Sequence, residues 1–297
     1  YGNLTERRAR KTDGTELSEC YEYTLEGFLK SAISQGMHYS YAYDTMGRLT
    51  EKKASGRRLL SFQYDLNGNL THQTDVTGKR TEYHYDLADN IREVWDNGKK
   101  IAEYAYNADN TIKYLKNGSL YTEYAYDADR NLIGLKTLLG TDTIVDNRYT
   151  YNGNGDRLEK YQKCGTTKYS YDNMRRLAKV EYPNVTEELF YDKAGNRTKR
   201  LYNGTEELYQ YDKRNRLTAH TKGSVTSQYE YDNAGNLLKD DKAQYTYDAF
   251  NRNTKVETFN GNIQINRYDA EGLRHEMEEN GKLVSFIYRG DEVIAEE

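Results

Sequence analysis

The stretch Tyr43-Asp44-Thr45-Met46-Gly47-Arg48-Leu49 returns further along the chain as Tyr64-Asp65-Leu66-Asn67-Gly68-Asn69-Leu70. Tyrosine followed by aspartate or asparagine then recurs at nearly even spacing as far as Tyr268-Asp269. Self-similarity at so narrow a period is typical of an array of like supersecondary units. We assign no catalytic, cofactor or metal role to these motif residues, which we interpret as a structural repeat.

The structural repeat motif comprises the following residues: Tyr43, Asp44, Gly47, Tyr64, Asp65, Gly68, Tyr85, Asp86, Tyr126, Asp127, Tyr171, Asp172, Tyr191, Asp192, Gly195, Tyr211, Asp212, Tyr231, Asp232, Gly235, Tyr268, Asp269 and Gly272.

Each unit predicts two strands and two turns, as residues 81–104 illustrate. Tyr83 and Tyr85 alternate with polar residues, so that both rings lie on one face of a strand. The four residues after Tyr85 form the first turn, residues 90–95 the return strand, and Asn97-Gly98 the second turn. Repetition of this pattern predicts consecutive antiparallel hairpins.

The first turn has a consistent chemistry. Its opening Asp or Asn can accept a backbone N–H two residues later, which makes an Asx-turn. Three residues after the opening residue the backbone needs a positive φ, which glycine adopts without steric cost and Asn or Asp tolerates. This pattern matches a type I turn closed by a left-handed residue. Arg130 and Arg175 break the pattern, and we expect local strain or a changed turn there.

The second turn is marked by glycine. Asn-Gly between alternating strands is the strongest short-range hairpin signal. Other glycine-bearing pairs occupy the same phase, among them Gln35-Gly36 and Thr77-Gly78, and Pro183 falls there too, outside any central strand. The Asn-Gly pairs are Asn97-Gly98, Asn117-Gly118, Asn203-Gly204, Asn260-Gly261 and Asn280-Gly281.

These elements predict an all-β fold of tandem antiparallel β-hairpin repeats in one long coiled sheet, spiral or shell-like. Twisted open sheets rarely exceed about ten strands without curling, so an array this long must coil. The longest step between repeats contains residues 134–148 and predicts longer strands or an extra loop. The shortest step contains Asp240-Asp241, which predicts a short turn. Without a linker or composition shift, we expect one domain over residues 1–297.

The composition fits a sheet with water near both faces. Only 36% of the residues are hydrophobic, and the aromatic residues are 31 Tyr against 6 Phe and 1 Trp. A tyrosine ring buries apolar area while its hydroxyl tolerates water. The sequence therefore predicts folding without a thick, dry core.

The distribution of charged and apolar residues argues against nucleic-acid binding and against a membrane span. The net charge of -4 comes from 43 basic and 47 acidic residues mixed along the chain, without the basic stripe of a nucleic-acid-binding protein. No apolar run is long enough for a membrane span. Cys20 and Cys164 fit no metal spacing, and we interpret them as plain small side chains.

Candidate catalytic residues are numerous but form no single motif. We expect that the chain is not an enzyme and that it binds no cofactor. The aspartates of the repeat motif each have the same role in a turn, and their spacing distinguishes none of them as catalytic. The five histidines form no HExxH-type spacing, and we expect most of them on the sheet surface. Residues 127–131 and 152–156 faintly resemble calcium loops but lack the glycine and glutamate that such loops require.

The alternating tyrosines of successive units would line up across neighbouring strands as ladders. These tyrosine ladders have two interpretations. Cross-strand stacking would hold the sheet together, at roughly 0.2–1 kcal/mol per pair. Alternatively, exposed rings could stack on sugars, which would make the chain a carbohydrate or cell-surface binding module. Because the ladders recur in every unit, stacking is favoured.

The motif Tyr-Asp-x-x-Gly-Asn/Arg-Leu, as in residues 43–49 and 64–70, resembles the YD repeat of bacterial Rhs proteins. The same repeat occurs in the B and C components of Tc toxins and in the YD shell of teneurins. The resemblance covers essentially the whole chain, and the incomplete copies at both ends predict a piece of a longer array.

The resemblance implies a shell that encloses a C-terminal toxin or variable domain of the same longer chain. It implies a bacterial protein that is secreted or displayed on the cell surface. The Asp-Pro motif at which the family releases its cargo is absent, since Pro183 follows Tyr182. Only the shell function carries over, and cell-surface glycans stay as alternative partners.

Overall fold

The computed structural model describes residues 2–10, 14–34 and 37–297. The predicted turn at Gln35-Gly36 and the first residue of the chain, Tyr1, lie outside this range. Among the described residues, no helix has the length and apolar character needed to cross a membrane. The described secondary structure consists of 30 strands, which confirms the all-β prediction.

The first 22 strands belong to one sheet, in which neighbours along the chain pair antiparallel, as β1 does with β2 and β2 with β3. Its strands are β1 (Glu6–Arg10), β2 (Glu16–Tyr23), β3 (Leu29–Ser34), β4 (Met37–Tyr43), β5 (Leu49–Ala54), β6 (Arg57–Tyr64), β7 (Leu70–Asp75), β8 (Arg80–Tyr85), β9 (Ile91–Asp96), β10 (Lys99–Tyr106), β11 (Ile112–Asn117), β12 (Leu120–Tyr126), β13 (Leu132–Leu139), β14 (Asp142–Tyr151), β15 (Arg157–Gln162), β16 (Gly165–Tyr171), β17 (Leu177–Glu181), β18 (Thr186–Tyr191), β19 (Arg197–Tyr202), β20 (Thr205–Tyr211), β21 (Leu217–Lys222) and β22 (Val225–Gln228).

A second sheet continues the array directly. Its strands are β23 (Glu230–Tyr231), β24 (Leu237–Lys239), β25 (Ala243–Tyr247), β26 (Asn253–Thr258), β27 (Ile263–Tyr268), β28 (Arg274–Glu279), β29 (Lys282–Arg289) and β30 (Glu292–Glu296). Only Tyr229 separates β22 from β23, and its N–H still donates to the carbonyl of Thr218 at 3.0 Å. The predicted long sheet is therefore interrupted at one residue, where the strand passes from one sheet to the next.

A β-bulge marks the start of each return strand. Tyr43 pairs with Leu49 whereas Ala42 pairs with Glu51, so Thr50 is the extra residue. The Thr50 hydroxyl donates to the carbonyl of Ala42 at 3.1 Å. The same register shift falls at the repeat tyrosine of other units. These tyrosines are Tyr64, Tyr106, Tyr126, Tyr151, Tyr171, Tyr191, Tyr211, Tyr231, Tyr247 and Tyr268, together with Tyr23 and Tyr288 of the degenerate units.

The Asn-Gly turns close the hairpins, in more than one geometry. At Asn97-Gly98 both residues have positive φ, 45° and 78°, which is the type I′ pattern. At Asn117-Gly118 the strand runs through Asn117 and only Gly118 has positive φ, at 59°, so glycine opens a type II′ turn instead. Pro183 lies between β17 and β18, outside both strands, as predicted.

The two irregular steps also follow the sequence. The longest step produces the long strands β13 and β14, with a register shift between Thr137 and Leu138. In the shortest step, Asp240 opens the short turn between β24 and β25, and its N–H donates to the carbonyl of Ala243 at 3.1 Å.

The chain divides into two compact units. Unit 1 comprises described residues of 1–82, 96–98 and 230–297, and unit 2 comprises residues 83–95 and 99–229. The single domain over 1–297 stays a prediction.

Unit 1 contains the main hydrophobic cluster. Leu60 is 1% exposed and packs with buried residues of β3, β4, β6 and β29. Ala270, from the turn before β28, belongs to the same cluster. The early hairpins of unit 1 therefore pack on its late ones, although the two sets lie far apart in the sequence.

Unit 2 is a run of hairpins without a comparable cluster. Its buried hydrophobic residues are small or isolated: Ala102, Val180 and Ala219. Its stability must come largely from neighbouring strands and from the turns.

Candidate functional site

The repeat turn is organised by its aspartate. Oδ1 of Asp44 accepts the N–H groups of Met46 and Arg48, each at 2.9 Å, which confirms the predicted Asx-turn. The N–H of Gly47, at φ 79°, donates to the carbonyl of Asp44 at 3.0 Å. The N–H donated by Arg48 helps hold the pKa of the Asp44 carboxyl below its ordinary value.

The same bond from the N–H four residues on recurs through the array. It is accepted by Asp65, Asp86, Asp127, Asn152, Asp172, Asp192, Asp212, Asp232, Asp248 and Asp269. The unit at Tyr106 differs, because Asp109 rather than Asn107 accepts the N–H of Thr111, at 3.1 Å.

The residue after the left-handed position joins neighbouring repeats, in one of two ways. Where it is arginine, as at Arg48, Nε donates to Asp44 Oδ2 at 2.7 Å and an η nitrogen donates to the carbonyl of Asp65 at 2.8 Å. Where it is asparagine, as at Asn196, its amide donates to Asp192 Oδ2 and to Asn215 Oδ1 of the next repeat, both at 2.9 Å. Arginine and asparagine at this motif position thus both bond the aspartate of their own repeat and an acceptor in the next repeat.

The repeat tyrosine holds the preceding repeat. The Tyr64 hydroxyl donates to the carbonyl of Leu49, the first residue of the previous return strand, at 2.8 Å. Equivalent bonds are made by Tyr43, Tyr106, Tyr151, Tyr171, Tyr191, Tyr211, Tyr268 and Tyr288. Because the target lies at the bulge, each tyrosine fixes the irregular backbone of its neighbour. Residue spacing alone did not reveal this role.

Arg130 and Arg175 keep the turn unchanged. Their φ values are 64° and 61°, and their N–H groups donate to the carbonyls of Asp127 and Asp172 as glycine does elsewhere. Of the two expected alternatives, local strain or a changed turn, the left-handed φ values fit the first at both positions. Bulky side chains here occupy the left-handed region at an energetic cost. Arg175 offsets that cost by an ion pair with Asp156, at 2.6 Å.

Asp269 departs from the other repeat aspartates. It is 0% exposed, and its Oδ2 accepts the Tyr39 hydroxyl at 3.1 Å. Burial raises the pKa of the Asp269 carboxyl, whereas the pKa of Asp44 is lowered. The expectation that no aspartate is singled out is therefore wrong at Asp269, because packing between distant repeats leaves no trace in spacing.

A partly buried polar cluster surrounds Asp269 in unit 1. Lys52 forms an ion pair with Glu271, whose Oε1 accepts the Tyr41 hydroxyl at 2.5 Å. The Lys52 ammonium lies 4.4 Å from the centre of the Tyr39 ring. We call Tyr39, Tyr41, Lys52, Asp269 and Glu271 the clasp, because they join the hairpin β4–β5 to the turn before β28.

Further contacts extend the clasp on both sides. Glu19, 1% exposed, accepts a hydrogen bond from Arg252 at 2.6 Å. Arg289 donates to the side-chain oxygen of Gln73 at 3.0 Å, and Arg57 pairs with Glu297. A buried ion that loses its partner costs much more than a surface ion, so these contacts specify how the two ends of unit 1 meet.

The other candidate residues do not come together as a metal site among the described residues. In the described part of the chain, no group of three His, Cys, Asp or Glu side chains could hold a metal ion. Asp127 Oδ1 and Asn152 Oδ1, in the two calcium-like segments, accept turn N–H groups instead. His275 is half-buried, and burial lowers its pKa.

Tyrosine rings outside the ladders are the exposed ones. Tyr161, Tyr182 and Tyr202 are about 40% exposed, whereas the ladder tyrosines are half-buried with hydroxyls bonded to backbone. The ladders therefore act as structural contacts between repeats. Cys20 and Cys164 are exposed and form no disulfide.

Comparison with known proteins agrees with the repeat geometry. The family model of the teneurin YD-shell matches residues 159–293, and that of the RHS repeat matches residues 64–98. No curated protein sequence matches the chain.

Solved Tc toxin structures share the fold. A TcdB2-TccC3-TEV chain is 15% identical with a TM-score of 0.70, over 97% of this chain and 18% of that one. TcdB2-TccC3 is 16% identical with a TM-score of 0.67, over 96% and 21%. The Photorhabdus luminescens Tc holotoxin pore is 13% identical with a TM-score of 0.57, over 96% and 22%. The chain spans about a fifth of the length of these neighbours.

Proposed function

The chain belongs to the YD/RHS-repeat family, and from that premise we propose that it is a wall segment of a protein shell that encloses a polypeptide domain of the same longer chain. The coarse role is structural, as the family and the fold indicate. The enclosed domain is proposed to be a C-terminal toxin or variable domain, and the whole protein to be secreted.

The clasp carries this proposal. Neighbour pairing alone would leave the early and late hairpins of unit 1 apart. Tyr39, Lys52, Asp269 and Glu271 instead bond the hairpin β4–β5 to the turn before β28. Buried charges in such a contact require one specific arrangement of the hairpins. Distant hairpins held in one arrangement suit a segment of an enclosing wall.

The chemistry of the turns supports a structural role rather than catalysis. The repeat carboxylates are occupied by backbone N–H groups and by Arg or Asn side chains. Catalytic carboxylates instead need a cleft and a pKa suited to proton transfer. Glycan binding stays an alternative prediction, and the exposed Tyr161, Tyr182 and Tyr202 of three successive repeats would be its candidate residues.

A protease-protection experiment tests enclosure. A disordered reporter polypeptide is joined after Glu297, and its cleavage by a non-specific protease is timed. We expect slower cleavage on the unsubstituted chain than on an Asp269→Lys variant, in which the clasp is broken. An Asp192→Lys variant, changed at the equivalent position of unit 2, is the matched control. Equal cleavage of the reporter in all three chains, at the rate of the free reporter, would contradict enclosure.

A further inference from the structure

Lys52 differs from the other paired lysines in its burial. Its side chain is 7% exposed, whereas the other lysines with ion-pair partners are 33% to 64% exposed in the described part of the chain. Its partner Glu271 lies 219 residues away in sequence. The Glu271 side chain is 25% exposed, so the amine is the buried member of the pair. An amine held in contact with a carboxyl group is placed for reaction as well as for attraction.

The groups around this pair favour condensation. The Tyr41 hydroxyl donates to Oε1 of Glu271, the oxygen that Lys52 does not contact. The Tyr39 ring covers the amine at 4.4 Å. A hydrogen-bond donor aimed at a carboxyl oxygen stabilises negative charge that develops there when a nucleophile attacks the carbon.

Asp269 completes the site. It is fully buried, bonds the hydroxyl of Tyr39, and lies within electrostatic range of both Lys52 and Glu271. Burial raises the pKa of the Asp269 carboxyl. Its hydrogen bond to Tyr39 holds in place the ring that lies over the Lys52 amine.

We propose that Lys52 and Glu271 condense into an intramolecular isopeptide bond that locks the clasp. A proton passes from Nζ of Lys52 to Oε2 of Glu271, and the amine lone pair attacks Cδ. Oε1 carries the negative charge of the tetrahedral intermediate against Tyr41. Oε2 then leaves as water with a second amine proton, and the product is a secondary amide. Nothing is oxidised or reduced, and one water is released.

The bond would tie the early hairpins of unit 1 to its late ones covalently. A cross-link between residues so far apart in sequence restricts the unfolded chain strongly, since loop-closure entropy grows with loop length. This inference does not rest on the proposed enclosure, because the bond forms or fails within unit 1 alone.

Intact-mass spectrometry of the denatured chain tests the proposal. We expect a mass lower than that of the linear sequence by one water, and a branched tryptic peptide joining the segments around Lys52 and Glu271. The variants Lys52→Arg and Glu271→Ala should each restore the full linear mass. The pair Lys79 and Asp96, 3.1 Å apart, has a carboxyl group of similar exposure but a lysine that is 50% exposed. It is the internal control and should yield only linear peptides.

Two results would overturn the isopeptide bond. One is an unsubstituted chain with the full mass of the linear sequence. The other is a mass lower by one water that peptide mapping traces to a cyclised aspartate rather than to Lys52 and Glu271. Because the decisive measurement uses the unsubstituted chain, misfolding of a variant cannot blur the outcome.

Discussion

At the scale of single residues, each motif position has a distinct backbone task. The aspartate gathers turn N–H groups, the glycine supplies positive φ, and the tyrosine hydroxyl holds the carbonyl of the preceding repeat. Because the aspartate oxygens are bonded to backbone N–H groups and to Arg or Asn side chains, they have little capacity left for a substrate.

The tyrosine hydroxyl should contribute measurably to stability. In a Tyr64→Phe variant the carbonyl of Leu49 loses its donor, and we expect the free energy of unfolding to fall by about 1 kcal/mol. Urea denaturation of both chains gives this difference. Tyr202→Phe is the matched control, because Tyr202 is exposed, and its change should be close to zero. Equal losses in the two variants would mean that the hydroxyl bond to Leu49 adds nothing.

The left-handed arginine should be a site of stored strain. Arg130 has φ 64°, and its guanidinium lies 3.7 Å from an exposed Asp109, a weak contact. Arg130→Gly relieves the backbone cost, and we expect stabilisation of about 1 kcal/mol in urea denaturation. Arg130→Ala keeps the strain and should not stabilise. Equal stability of the glycine and alanine variants would show that the left-handed backbone is not strained at this position.

At the scale of elements, the hairpins were predictable because their determinants are local. Alternating tyrosines set the strands, and Asn97-Gly98 supplies the two positive φ values of a type I′ turn. The same dipeptide at Asn117 shifts by one residue, since the strand continues through Asn117 and glycine takes the first turn position. The register between the neighbouring strands decides which turn type forms. The Asn-Gly dipeptide alone does not predict it.

The repeat turns should make unfolding sensitive to acid. The pKa of Asp44 is lowered in the folded chain, so its contribution to stability is present above the ordinary carboxyl pKa and lost as the pH falls through the folded value. We expect the urea midpoint to fall in acid. Asp44→Asn keeps the Oδ1 acceptor, as Asn152 does, but should show a shallower fall. A variant with an unchanged slope would exclude Asp44 as a source of the acid sensitivity.

At the scale of the whole molecule, the sequence predicted the array but not the packing of early hairpins on late ones within unit 1. The period gives consecutive pairing, whereas the burial of Asp269, Glu19 and Lys52 depends on which distant repeats meet within unit 1. Asp269 looks like every other repeat aspartate in the sequence. Tertiary contact alone distinguishes it, which is why neither the clasp nor the division into two units could be predicted.

The central claim is that the clasp makes the early and late hairpins of unit 1 one cooperative structure. Hydrogen exchange followed by mass spectrometry tests it most directly, by comparing the unsubstituted chain with Asp269→Lys. We predict faster exchange in β4, Met37–Tyr43, as well as around Asp269 itself. Asp192→Lys, the equivalent change in unit 2, should alter only neighbouring repeats. Exchange in β4 that is unaffected by Asp269→Lys would contradict the account.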